Sequence, residues 1–311
     1  MLKQVIEICE LLDDANINGE KVIALFDNYP NIESSFRTIY GDEGKTDFVR
    51  ILIKGQNGRA SQGTAPTIGV IGRLGGIGAR PGRVGLVSDA DGAITALSVA
   101  LKLADMSTKG DILAGDVIVT THICPDAPTQ PHEPVDFMGS PVDMDAMNEY
   151  EVEKNIDAFL SIDATKGNNV INHKGFAISP TVKEGYILRI SDDLLRIMSM
   201  TTGAYPVTFP ITTQDITPYG NDLYHLNSIL QPATATAAPV VGVAITAISA
   251  VPGCGTGANH EVDIEAAGRF TIEVAKEFTK GLTTFYDQKE FDELVKLYGP
   301  LTILQTLGKS E

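Results

Sequence analysis

Four short apolar runs in this chain each lead to groups that bind cations or move protons. Val84 to Val87 leads to Ser88-Asp89-Ala90-Asp91-Gly92, and Val117 to Val119 leads to Thr120-Thr121-His122-Ile123-Cys124-Pro125-Asp126. Phe159 to Ile162 leads to Asp163-Ala164-Thr165, and Val240 to Ile245 leads on to Pro252-Gly253-Cys254 and Asn259-His260-Glu261. If the runs are strands of one open α/β sheet, their carboxyl ends form the edge where such sheets bind ligands. Asp89, His122, Asp163 and His260 are then expected on that edge. Carboxylates and imidazoles that converge from separate strands suit zinc first, and also manganese or cobalt. A cation held there polarises a carbonyl and acidifies a bound water. Asp after a strand also caps helices and turns, and Cys is commonly a small buried residue, so each group has a structural use as well.

The elements that must place these groups read as α/β. Between the apolar runs lie helical patterns, Ile94-Leu97-Leu101-Ala104 and the stretch from Val262 to Phe278, whose stripe is Ile264, Ala267, Phe270 and Val274. Strands that are apolar throughout and separated by helices belong to a sheet covered on both faces. The expected fold is a three-layer α/β/α sandwich with a mixed, mostly parallel central sheet. Residues 1–42 read as helices that cap this domain, which spans 43–311. An early strand, Phe48 to Ile53, closes on Gly55-Gln56-Asn57-Gly58. Residues 125–145, with five prolines and several acids, read as a long irregular loop over the site.

Composition excludes several roles. The 311 residues carry 40 acids against 24 bases, a formal net charge of -16, which opposes phosphate backbones and anionic lipid. No apolar run is long enough to span a bilayer, and the start carries acids where a signal peptide is apolar, so the expected location is cytoplasmic, without nucleic-acid or membrane partners. Cys9, Cys124 and Cys254 are odd in number and far apart, which suggests no disulfide framework.

Two motifs compete at one segment. Val87-Ser88-Asp89-Ala90-Asp91-Gly92-Ala93 resembles the haloacid-dehalogenase phosphatase signature, except that Ala93 stands where that signature has Thr. The same segment, extended from Gly85 to Leu97, resembles the part of the co-catalytic metallopeptidase superfamily whose Asp bridges two metals. That superfamily includes glutamyl and deblocking aminopeptidases and aminoacylases. Other segments follow in its order. Phe48 to Gly58 looks like its early strand and turn, Thr67 to Gly78 like the strand of its His-x-Asp motif, and Ser161 to Thr165 like a ligand-bearing strand end. Gly220-Asn221-Asp222 stands at a Gly-Thr-Asp turn, and Asn259-His260-Glu261 at a late metal-binding histidine. Arg73 and Gly75 replace the first His and its Asp, and His122, Ile123 and Cys124 replace a Glu-Glu pair. The whole chain also resembles domain of unknown function family 1177.

The resemblance implies a phosphorylase/hydrolase-like fold and a metal-dependent hydrolase of peptides, amides or amino-acid derivatives, with a modified, mononuclear site. In that reading Asp89, Asp163, His260 and Cys124 are the metal candidates, and His122, Asp126 and Arg73 the catalytic ones, Arg73 gripping a substrate carboxylate or an oxyanion. Asp91, Asp222, Asn221 and Cys254 are the candidates for holding a small-molecule or short-peptide substrate. The alternatives are an inactive small-molecule-binding or regulatory protein on the same scaffold, and the phosphatase. A homo-oligomer fits either class.

Overall fold

The computed structural model describes residues 1–73, 86–131, 137–165, 170–211, 226–248 and 260–305. Helices α1 (Leu2–Leu12) and α2 (Gly19–Ala24) open the chain. α1 turns Val5, Ile8 and Leu12 inward at helical spacing, into a core shared with α3 (Asp91–Ser107) and α6 (Glu261–Phe278). The expected helical segment of residues 1–42 is corrected at its second half, which is strand β1 (Ile32–Gly41), paired antiparallel with β2 (Gly44–Ile53). Phe36, Thr38, Ile39 and Tyr40 favour a pleated surface. Gly41 and Gly44 flank the two-residue loop Asp42-Glu43, with Gly44 at φ 141°, a conformation open to glycine.

Three of the four apolar runs, Val117 to Val119, Phe159 to Ile162 and Val240 to Ile245, lie in central strands, whereas Leu86 and Val87 of the fourth are not strand. β3 (Ile68–Gly72), β4 (Val117–Ile123) and β11 (Val240–Thr246) are buried over their whole length, as is β7 (Ala158–Thr165) up to Asp163. The remaining elements are the ribbon β5 (Thr129–Gln130) and β6 (Phe137–Met138), helix α4 (Met144–Glu151), strands β8 (Gly175–Ile178), β9 (Thr181–Lys183) and β10 (Tyr186–Leu188), and helices α5 (Asp192–Thr202) and α7 (Gln288–Tyr298). The expected irregular loop of residues 125–145 therefore contains a short ribbon and the start of a helix.

The nine-stranded sheet has the order β1-β2-β4-β3-β7-β11-β9-β10, with β8 also on β11. β4, β3, β7 and β11 run parallel, and the outer strands are antiparallel. Helices α1, α3, α5 and α6 share a core with one face, while α4 and a 3-10 turn over Ser228–Thr234 lie on the other. This is the expected α/β sandwich with a mixed sheet, parallel at its centre. Among the described residues no helix is long and apolar enough to cross a membrane.

Candidate active site at the strand ends

Register alone brings part of the site together. His122 of β4 is level with Phe48 of β2, Gly72 of β3 is level with Thr121 and Ile162, and Asp163 of β7 is level with Ala244 of β11. Arg73 extends β3 by one rung, its N–H donating to the Ile162 carbonyl at 2.8 Å. His122, Arg73 and Asp163 therefore form one row across adjacent parallel strands, and side chains in a row share a face. The strands run further than the apolar runs suggest, so His122 and Asp163 lie within β4 and β7 and not beyond their ends.

The partner that joins the row was not among the sequence candidates. Glu151, the last residue of α4, accepts from Arg73 Nη1 at 2.7 Å through Oε2 and faces His122 Nδ1 at 2.5 Å through Oε1. Arg73 and Glu151 have no exposed side-chain surface, and His122 has 2%. Arg73 Nη2 also reaches Gln231 Oε1 at 3.3 Å and Met144 Sδ at 3.0 Å. Two helix signals could have pointed to Glu151. Asp143 caps α4 by accepting from Ala146 N at 2.8 Å, and Met144, Met147 and Glu151 fall on one helical stripe. Thr120 Oγ1 ties the end of α4 to β4 by donating to the Glu151 carbonyl at 2.9 Å.

Electrostatics acts on the carboxyl of this pair. Burial pushes the Glu151 carboxyl up, but the Arg73 guanidinium and His122 outweigh it and hold it below its ordinary value. An ionised carboxylate can only accept, so Nδ1 of His122 carries a proton. A second consequence concerns Arg73. Its expected role was to grip a substrate carboxylate, and the carboxylate it grips is Glu151.

The other candidates are placed differently. Asp89 and Asp91 are buried, Asp89 in a 3-10 turn over Ser88–Ala90 and Asp91 as the first residue of α3, where a negative charge suits the helix dipole. Leu86 and Val87 are not strand, so Asp89 does not directly follow a strand as the phosphatase signature requires. Gly92 sets α3 on the sheet. A Cβ there would stand 2.5 Å from the Ile162 carbonyl and 2.6 Å from that of Arg73. Asp163 Oδ1 accepts from Ala164 N at 2.7 Å. Asp126 is exposed, and His260 is exposed as the N-cap residue of α6, without a side-chain capping bond. Asn221, Asp222 and Cys254 lie outside the described residues.

The model of one family, described as a protein of unknown function (DUF1177), matches residues 37–308. The chain belongs to the DUF1177 family. No curated protein matches this DUF1177 chain. Among solved structures, a mutant of tomato leucine aminopeptidase is similar at 11% identity and a TM-score of 0.49, over 86% of the DUF1177 chain and 60% of the aminopeptidase. The DUF1177 chain thus spans less than two thirds of that enzyme.

A metal was expected on this edge, and the geometry of the DUF1177 chain bears on it. Among the described residues no group of three or more His, Cys, Asp or Glu side chains is placed to hold a metal ion. Asp89, Asp163, His260 and Cys124 therefore do not form a ligand set by themselves. Cys124 packs instead with Val87, Ala127 and Met138. Burial first, then the charges of Asp126, Asp89 and Asp47, push its thiol up to about 12. Such a thiol is not a nucleophile at neutral pH. Iodoacetamide at pH 8 is expected to leave Cys124 unmodified in the native protein and to modify it in guanidinium, as read by peptide mass spectrometry. Native labelling of Cys124 would contradict this placement.

Proposed function

We propose that this chain is a hydrolase of peptides, amides or amino-acid derivatives, with its site at the carboxyl edge of β3, β4, β7 and β11 and with His122 as its proton-accepting group. The buried contact between Glu151 and His122 carries this reading. Glu151 holds Nδ1 and so fixes the orientation of the His122 ring. A carboxylate behind a histidine orients it for proton transfer or for ligation. Asp163, in the same row, Asp89, in the turn before α3, and Asp91, at the start of α3, are the acids of this edge.

Arg73 supports the same reading in part. Among the described residues its Nε and Gln231 Nε2 are buried donors without an acceptor, and buried donors are nearly always paired. Both suit an oxygen of a substrate carbonyl or carboxylate. A divalent cation, zinc first, belongs to this proposal with Asp89 and Asp163 as its carboxylates. It needs a further ligand beyond these two.

The test is hydrolysis by the purified full chain of aminoacyl anilides, dipeptides and N-acyl amino acids, with and without added zinc, manganese or cobalt. Hydrolysis is expected, and His122→Gln is expected to lower its rate by about 10²–10⁴-fold with unchanged far-ultraviolet dichroism. No turnover across the panel, or full turnover in His122→Gln, would overturn the proposal. Elemental analysis of the same preparation reads the metal. The pairing of Arg73 with Glu151, which neutralises both groups, favours a second reading as a small-molecule-binding protein. Calorimetric binding of a dipeptide without turnover selects it.

A further inference from the structure

The two ends of the sheet are unlike. At one end β10 has three residues and packs beside α7 through Tyr186, Leu188 and Phe291. At the other end β1 has ten residues, contains no proline, and pairs with β2 one-to-one from Ile32 to Gly41 without a bulge. Short strands, prolines, bulges and covering helices are the usual means of protecting an edge, and β1 has none of the first three.

The unused hydrogen-bonding groups of β1 can be assigned. Antiparallel rungs alternate between bonded and unbonded pairs. Lys54 N–H donates to the Asn31 carbonyl at 3.0 Å, one rung before the strand begins, so odd-numbered residues bond to β2. The N–H and C=O groups of Ser34, Phe36, Thr38 and Tyr40 then point away from the sheet. Phe36 and Tyr40, 39% and 77% exposed, are on this strand.

The sequence of the strand is complementary to itself. Two copies of β1 laid antiparallel about a two-fold axis at Ser35 place Glu33 opposite Arg37 of the second copy, twice, with Ser34 opposite Phe36 and Ile32 opposite Thr38. The outward N–H and C=O groups of Ser34 meet those of Phe36 in this register, and the Thr38 N–H meets the Ile32 carbonyl, the Ile32 N–H being already bonded to the Tyr29 carbonyl at 3.1 Å. Glu33 has 58% of its side chain exposed even though it pairs with Lys54, and Arg37, exposed, lies 5.5 Å from the Tyr150 ring. Both can reach across the seam. Opposite charges placed directly across strands stabilise a pair, and like charges destabilise it.

We propose that β1 pairs with β1 of a second copy of this chain, in antiparallel register about Ser35, so that two sheets join into one across an isologous two-fold interface.

The test is sedimentation velocity on the full chain from about 1 to 100 μM. The native protein is expected to give a species of twice 33.2 kDa. Arg37→Glu, which sets acid against acid at both rungs, is expected to give the monomer, and adding Glu33→Arg to it is expected to restore the dimer. Phe36→Pro removes an outward N–H that has no partner among the described residues of the monomer, and is expected to give a folded monomer by circular dichroism. A native monomer at every concentration overturns the proposal. So does a dimer that survives Arg37→Glu and Phe36→Pro, or a charge swap that fails to restore it.

Discussion

Replacing Arg73 with methionine is expected to lower the free energy of unfolding by about 3–5 kcal/mol, the range found when one partner of a buried ion pair is removed. Arg73 and Glu151 have no exposed side-chain surface, so water cannot stand in for the missing guanidinium. The substitution leaves a buried carboxylate facing His122 alone, and it also deprives Gln231 Oε1 of a donor. Glu151→Gln in the Arg73→Met background is expected to recover part of the loss, because the uncompensated charge is gone while an amide oxygen can still accept from His122. Urea unfolding of the single and double variants measures both. A single variant within about 1 kcal/mol of the native protein would show that the pair is not buried as described.

The pH dependence of the same variant has a definite sign. In the native protein Glu151 is held below its ordinary value of 4.5. Its contribution is therefore complete above that value and is lost as the pH falls through the depressed one. Without Arg73 the burial effect that raises the carboxyl is opposed only by His122. Protonation then relieves a penalty, and the deficit of Arg73→Met shrinks as the pH is lowered from 7. A deficit that grows on acidification would contradict the assignment of the buried charge.

Gly92→Ala is the second large effect. A methyl at this position would stand 2.5 Å from the Ile162 carbonyl and 2.6 Å from the Arg73 carbonyl, both backbone atoms that no rotamer change can move. Helix α3 must then lift from β3 and β7, or those strand ends must shift. Overpacking of this kind costs about 1–3 kcal/mol, and rigid backbone neighbours place this case at about 3 kcal/mol or above. Because the strand ends concerned carry Arg73 and Asp163, hydrolysis is expected to fall as well. Thermal unfolding and the peptide assay check the two parts. An unchanged melting temperature would show that α3 does not rest on these carbonyls.

Much of this arrangement was legible in the order of residues. Val117 to Val119, Phe159 to Ile162 and Val240 to Ile245 are strands because a sheet covered on both faces needs no polar alternation. The stripes of α3 and α6 follow from helical periodicity in the same way. His122 and Asp163 could be assigned to one edge once those strands were taken as parallel. β1 was missed because it lies on an edge, where mixed exposure blurs the alternation that marks a strand. α4 was missed because its prolines and acids precede a helix of only eight residues.

The sequence by itself determined that a parallel sheet exists and that His122 and Asp163 stand near its carboxyl edge, since local periodicity and strand polarity suffice for both. Only the tertiary structure decided what those groups do to one another. Glu151 reaches Arg73 across 78 residues and His122 across 29, and no local pattern encodes which distant carboxylate will neutralise a buried guanidinium. That choice follows from packing. A charge withdrawn from water must find its opposite in the same low-dielectric space, and the fold sets α4 against the strand ends where Arg73 is buried.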